Sequence, residues 1–173
     1  TAQEDGIRAR DRLRDGVTEA LRSLGTGFLA HRDNAELRRR IESGELSTQA
    51  YFEQLLRLIY RFIFLATIED RELVFAPEAT QEARERYLAG YSLTRLRQLA
   101  ARRRSYDRHA DLWQVLTITF GGLGRGQPAL GLPALGGLFD AAQCPDLNIA
   151  RLENQALLSA LFSLCFFRDG AAL

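Results

Sequence analysis

Six arginines, Arg95, Arg97, Arg102, Arg103, Arg104 and Arg108, fall within fourteen residues, opposed there only by Asp107. A guanidinium is planar and permanently charged, and its donors can grip a phosphate in a bidentate manner. Tyr106 and Trp113 lie close by in sequence and offer rings for stacking on nucleic-acid bases. These six arginines are the candidate contacts to DNA phosphate. The competing reading is a solvated helix face whose arginines pair with acids such as Glu82 and Glu85. A net charge of +1 gives no bulk electrostatic reason to prefer nucleic acid.

Other chemistry-bearing groups carry less. The run Gly121-Gly122-Leu123-Gly124-Arg125-Gly126 evokes a phosphate-cradling loop. Such a loop joins a strand to a helix N-terminus, where backbone amides and the helix dipole meet the anion. Here the glycines follow an apolar helical stretch, lead into Gln127-Pro128 and bring no lysine. Glu69 and Asp70 are adjacent, and neighbours on a helix diverge by ~100°, so they do not form an acid/base pair. Ion pairs with Arg61 or Arg71 are expected for them instead. His31 and His109 are far apart in sequence and are expected as surface or capping residues. No histidine, cysteine and carboxylate set has metal-ligand spacing. Cys144 and Cys165 are too few for a disulfide framework, and Cys165 sits in an apolar run, as a buried thiol of a reducing cytoplasm would. No catalytic, cofactor-binding or metal residue is assigned.

The elements that must position these groups read as helices. Apolar residues recur at helical spacing from about Asp5 to Leu24, ending at Gly25-Thr26-Gly27. A short helix runs from an Asn34 cap to Gly44, and Ser47 caps the most hydrophobic element, Thr48 to Glu69. That element is apolar nearly all round but is broken by Arg57 and Arg61, and its uninterrupted part falls far short of the ~20 residues a bilayer needs. It is expected as a buried central helix, with Glu53, Arg57 and Arg61 as a thin charged stripe toward solvent. Helices follow at Thr80–Ala89, from a Ser92 cap, and at Asp107–Phe120. The stretch 121–147 is read as a loop pinned to the core by Leu130, Leu132, Leu135, Leu138 and Phe139. A final helix is expected from Ile149 to Phe167, capped by Asp146 or Asn148.

The fold class that results is all-α, an irregular multi-helix bundle around a buried central helix, in a single domain spanning 1–173. With 46% hydrophobic and 26% charged residues the chain has ample core material. There is no methionine, so the chain is expected to be a fragment of a longer polypeptide, and its strongly charged opening, Thr1 to Gly16, is not expected to be a signal peptide. All 23 basic residues are arginine, which either phosphate recognition or a GC-rich genome would produce.

Several phrases together resemble a known family. They are Leu55-Leu56-Arg57-Leu58-Ile59-Tyr60-Arg61-Phe62-Ile63-Phe64-Leu65, Glu69-Asp70-Arg71-Glu72-Leu73 and Gly90-Tyr91-Ser92-Leu93-Thr94-Arg95-Leu96-Arg97. Tyr106 to Trp113, Leu130 to Asp140 and the closing Phe167-Arg168-Asp169-Gly170 complete the series. The ordered set is similar to the helical region of large bacterial adenine-specific DNA methyltransferases, the type IIG-like restriction-modification enzymes and their phage-defence relatives. The resemblance implies a cytoplasmic helical spacer that adjoins a methyltransferase domain and reaches DNA through the parent enzyme. It implies S-adenosylmethionine for that parent. The family's Asn-Pro-Pro-Tyr/Phe motif and its glycine-bearing strand-loop do not occur here, so no active-site residue carries over. The alternative is a stand-alone helical regulator that binds DNA or a partner protein, with the helix after Ser92 as its only recognition-helix candidate.

Overall fold

The computed structural model describes residues 1–169, with side chains through residue 165; the closing phrase of the resemblance falls beyond the described side chains. Short polar side chains set most helix starts. Thr1 and Glu4 form a reciprocal capping box at the head of α1 (Ala2–Ala30). Ser47 accepts from the Ala50 N–H to start α3 (Thr48–Asp70), and Thr80 and Ser92 do the same for α4 (Gln81–Gly90) and α5 (Leu93–Ala100). Between α1 and α3, α2 (Ala35–Ser43) stops at Gly44, whose φ of 82° is the left-handed conformation a helix end favours in glycine. The chain continues as α6 (Asp111–Arg125), the short α7 (Pro145–Ile149) and α8 (Asn154–Asp169). No strand occurs among the described residues; Gln127 and Leu132 form a lone bridge. The fold is all-α.

Packing explains where helices depart from the periodicity. α1 does not stop at Gly25-Thr26-Gly27 but continues to Ala30. Glycine there is a close-approach residue, since a Cβ on Gly27 would lie 2.6 Å from the Ala156 Cβ of α8. The tight contact between α1 and α8 overrides the weak helix propensity of the glycines. α6 likewise runs through Gly121, Gly122 and Gly124, so the irregular stretch begins at Gly126, five residues later than expected. The expected single last helix is divided. α7 ends at Ile149, which is 86% exposed, and α8 starts afresh at Asn154.

The core gathers the inward faces of α1, α3, α5, α6 and α8. Leu157, Leu158 and Ala160 of α8 are fully buried, and each such leucine contributes about 1.5–3 kcal/mol. α8 packs against α1, α5 and α6. α3 is buried on one face, through Leu55, Leu58, Ile59, Phe62 and Leu65, and open on the other. Phe52, Tyr60, Ile63 and Phe64 are 36–49% exposed along that outer face.

Of the charged stripe expected on α3, Glu53 is exposed and pairs with Arg57 at 3.9 Å, but Arg61 is not part of it. Arg61 is 1% exposed. Its Nε donates to Leu138 O (2.8 Å), Nη1 to Asn148 Oδ1 (3.0 Å) and Nη2 to Asp140 O (2.9 Å). The guanidinium also lies over the Phe120 ring, 5.2 Å from its centroid. Arg57, one turn earlier, donates to Gln143 O. The stretch after α6 folds back across α3, and its carbonyls need donors in an apolar setting; the arginines supply them. Leu130, Leu132 and Phe139 are buried as expected, while Leu135 is 44% exposed.

Glu69 and Asp70 do not pair with Arg61 or Arg71. Glu69 accepts from the Leu93 and Thr94 amides, both at 2.8 Å, from the Thr94 hydroxyl and from the Tyr87 hydroxyl. It is an interhelical cap for α5, where a negative charge suits the helix dipole. Burial, with the carboxylate beside it, pushes the Tyr87 hydroxyl far above the usual phenol range, so it stays a donor. Asp70 pairs with Arg97.

Candidate nucleic-acid interface

The six candidate arginines divide sharply. Arg97, on α5, is turned inward and donates to Asp70 at 3.2 Å and to the Cys165 sulfur at 3.1 Å. Arg95 is half-buried on the same helix. Arg102, Arg103, Arg104 and Arg108 are exposed. They sit not on a helix face but on the connection between α5 and α6, with Arg103 and Arg104 in a single 3-10 turn. Among the described residues no side-chain ion pair or hydrogen bond engages these four. Glu82 and Glu85, the acids expected to neutralise them, are engaged elsewhere. Glu82 pairs with Arg86 and Glu85 accepts from Gln81.

The loop that carries the charges is fastened from below. Tyr106 donates its hydroxyl to Ala100 O (2.7 Å) and Leu158 O (3.3 Å). Asp107 accepts from the His109 amide at 3.0 Å and from Asn154 Nδ2 at 2.8 Å. The Gln155 and Asn154 amides at the head of α8 donate to Asp107 O and His109 O. A loop held this way loses little further backbone entropy when its arginines meet a ligand. The proposed stacking residues are structural. Trp113 is 1% exposed, with its indole N–H donated to Ala150 O at 3.0 Å, and the Tyr106 ring is half-buried. Trp113 cannot lie on a base, and the Tyr106 hydroxyl is committed to the backbone.

Folding also assembles a set that no local pattern foretold. Residues 30–33 and 108–110, with Arg151 and Glu153, wall one concavity of about 480 Å³. Into it come both histidines of the chain, with Arg32, Arg108 and Arg151. His31 is 9% exposed and caps the turn after α1, its Nδ1 accepting from the Asp33 amide at 3.1 Å. In the neutral ring the proton is therefore on Nε2. Buried Asn34 binds the walls together, donating to Phe28 O (2.8 Å) and Arg151 O (2.7 Å) and accepting from the Arg151 N–H (2.9 Å). The helix cap expected of Asn34 is not formed, because its side chain is committed to these longer-range bonds. Sequence offers no signal for Arg32 or Arg151, which lie more than a hundred positions apart.

A second cavity, of about 520 Å³, is lined by Arg61, Arg125, Asp140 and the helical glycines Gly121, Gly122 and Gly124. These glycines do not fit S-adenosylmethionine in the manner of a strand-loop. They belong to a helix, and a Cβ on Gly122 or Gly124 would meet Leu132 at 3.0 Å or Phe139 O at 2.6 Å. Among the described residues, no three His, Cys, Asp or Glu side chains are placed to hold a metal ion. No described helix is long and apolar enough to cross a membrane. On α5, Leu93, Leu96 and Ala100 are buried and Arg97 is engaged, which leaves little of the helix to read base edges. Comparison with protein families, with curated proteins and with solved structures finds no match to this chain.

Proposed function

We propose that the chain is a non-catalytic helical scaffold of a DNA adenine methyltransferase or restriction-modification polypeptide, and that its Arg102–Arg108 loop rests on the DNA backbone. The observation that carries the DNA contact is the pairing of exposed, unneutralised guanidiniums with a loop fastened at Tyr106 and Asp107. Backbone contact needs charge presented on a stable surface and no base-reading side chain. The open apolar face of α3 supports the scaffold half of the reading, since an adjoining methyltransferase module would cover Phe52, Tyr60, Ile63 and Phe64. S-adenosylmethionine belongs, on this reading, to that neighbouring module, and the whole acts in the bacterial cytoplasm.

The test is anisotropy of a labelled duplex titrated with the chain over a range of salt. Replacing Arg102, Arg103, Arg104 and Arg108 by alanine should weaken binding, and flatten the slope of log K against log salt by about one unit for each arginine that no longer neutralises a phosphate. Equal affinity and slope for the two proteins would remove the DNA contact.

A further inference from the structure

We infer that the concavity walled by residues 30–33 and 108–110, with Arg151 and Glu153, is a seat for a single phosphate group. Three arginines face it against the carboxylates of Asp33 and Glu153, leaving an excess of positive charge. The acids do not consume the donors. Asp33 lies 3.8 Å from Arg32 Nε and 3.7 Å from Arg151 Nε, distances of an ion pair and not of a hydrogen bond. Glu153 accepts from Gln155 at 2.6 Å, and Arg108 has no side-chain partner among the described residues. The guanidinium N–H groups are thus free to turn to a better acceptor, and phosphate is the anion whose oxygens match that fork.

His31 makes the second, independent case. An imidazole nine-tenths buried should have both nitrogens satisfied. Nδ1 is taken by the Asp33 amide, which leaves Nε2–H as a donor without a partner among the described residues, on a ring that lines the concavity. His109 lines the concavity too; α6 begins beside it, with its Leu112 amide already donated to Asn154 Oδ1. A phosphate here would accept from His31 Nε2 and from Arg151 and Arg108. The walls are already fixed by Asn34 and Asn154, so binding needs no rearrangement of backbone. The group is either a free phosphomonoester or one backbone phosphate of the nucleic acid that the Arg102–Arg104 loop would hold. The seat shares Arg108 with that loop but uses none of Arg102, Arg103 and Arg104.

With two histidines in the chain, imidazole NMR resonances can be followed and assigned through single substitutions. Titration with inorganic phosphate at constant ionic strength should shift His31 and His109 together along one saturable curve. Arg151→Gln, on an exposed side chain, and Arg108→Gln should each weaken that curve about tenfold, the loss expected for one charge-assisted hydrogen bond. If Arg151→Gln also weakens duplex binding, the phosphate is the backbone's; if duplex binding is unchanged while phosphate binding falls, it is a free ester's. Shifts that chloride reproduces at the same ionic strength, or that leave His31 unmoved, overturn the seat. Loss of duplex binding on removing Arg102–Arg104, with the phosphate curve intact, would separate the two proposals.

Discussion

Two irregular segments use arginine in opposite ways. In the stretch after α6 the chain wraps around a cation: Arg61 comes from α3 and is closed over by Leu138, Asp140 and Asn148. In the α5–α6 connection the polar ligatures are Tyr106, Asp107 and Asn154, and the cations are exposed. The first arrangement uses a buried charge to hold part-buried oxygens of the segment. Burial depresses the Arg61 pKa below the ordinary guanidinium value, but it starts so high that the group remains charged. The second arrangement holds its backbone with neutral groups and one carboxylate, so every arginine stays at the surface. An arginine ligated by carbonyls is part of the fold; one standing on a loop that is already fastened is available to something else.

Removing charge from each side tests the contrast most directly. Arg61→Met removes three hydrogen bonds to part-buried acceptors, so a loss of about 2–4 kcal/mol is expected in urea unfolding. Arg102→Ala, Arg103→Ala and Arg104→Ala should each stay within about 0.5 kcal/mol of the parent chain. Similar losses on both sides would mean that the exposed arginines also support the fold. The next largest effect should come from the ligature of the second segment. Asn154→Ala frees the Asp107 carboxylate and the Leu112 amide, for a cost of about 2 kcal/mol. It should also weaken duplex binding although Asn154 is 4% exposed and cannot touch DNA. A variant that unfolds more easily yet binds with unchanged salt slope would show that the loop needs no fastening.

How far the sequence reveals this division depends on the range of the determinant. Helix starts at Ser47, Thr80 and Ser92 are legible or nearly so because a cap is a contact between residues three apart. The helical class follows from apolar spacing. Arg61 is not legible: its spacing from Arg57 is that of a solvent-facing stripe, and its acceptors lie about eighty positions away. Glu69 is hidden for the same reason, since the amides it caps begin after an intervening helix. The end of α1 misleads because glycine stops a helix only when nothing presses on it, and α8 presses on Gly27. Of the candidate site, the run Arg102, Arg103, Arg104 and Arg108 can be seen in the sequence. His31, Arg32 and Arg151 cannot, because the concavity joins segments that meet only once α1 and α8 have packed.

The glycines of α6 carry the same difference down to a single methyl group. Gly124 and Gly121 are one helical turn apart, and both weaken the helix by about 1 kcal/mol relative to alanine. Their surroundings differ. A Cβ on Gly124 would stand 2.6 Å from Phe139 O, inside the segment that Arg61 locks, whereas one on Gly121 would meet no atom nearer than Arg125 Nη2 at 3.9 Å. Gly124→Ala must push the locked segment away from the helix, and a net destabilisation of about 1–3 kcal/mol is expected from the overpacking. Gly121→Ala meets no such obstacle and should stabilise the chain by up to about 1 kcal/mol. The two variants therefore move thermal midpoints in opposite directions for the same chemical change. If both stabilised, the segment would have room to yield, and Arg61 would be holding a loop that is looser than its hydrogen bonds imply.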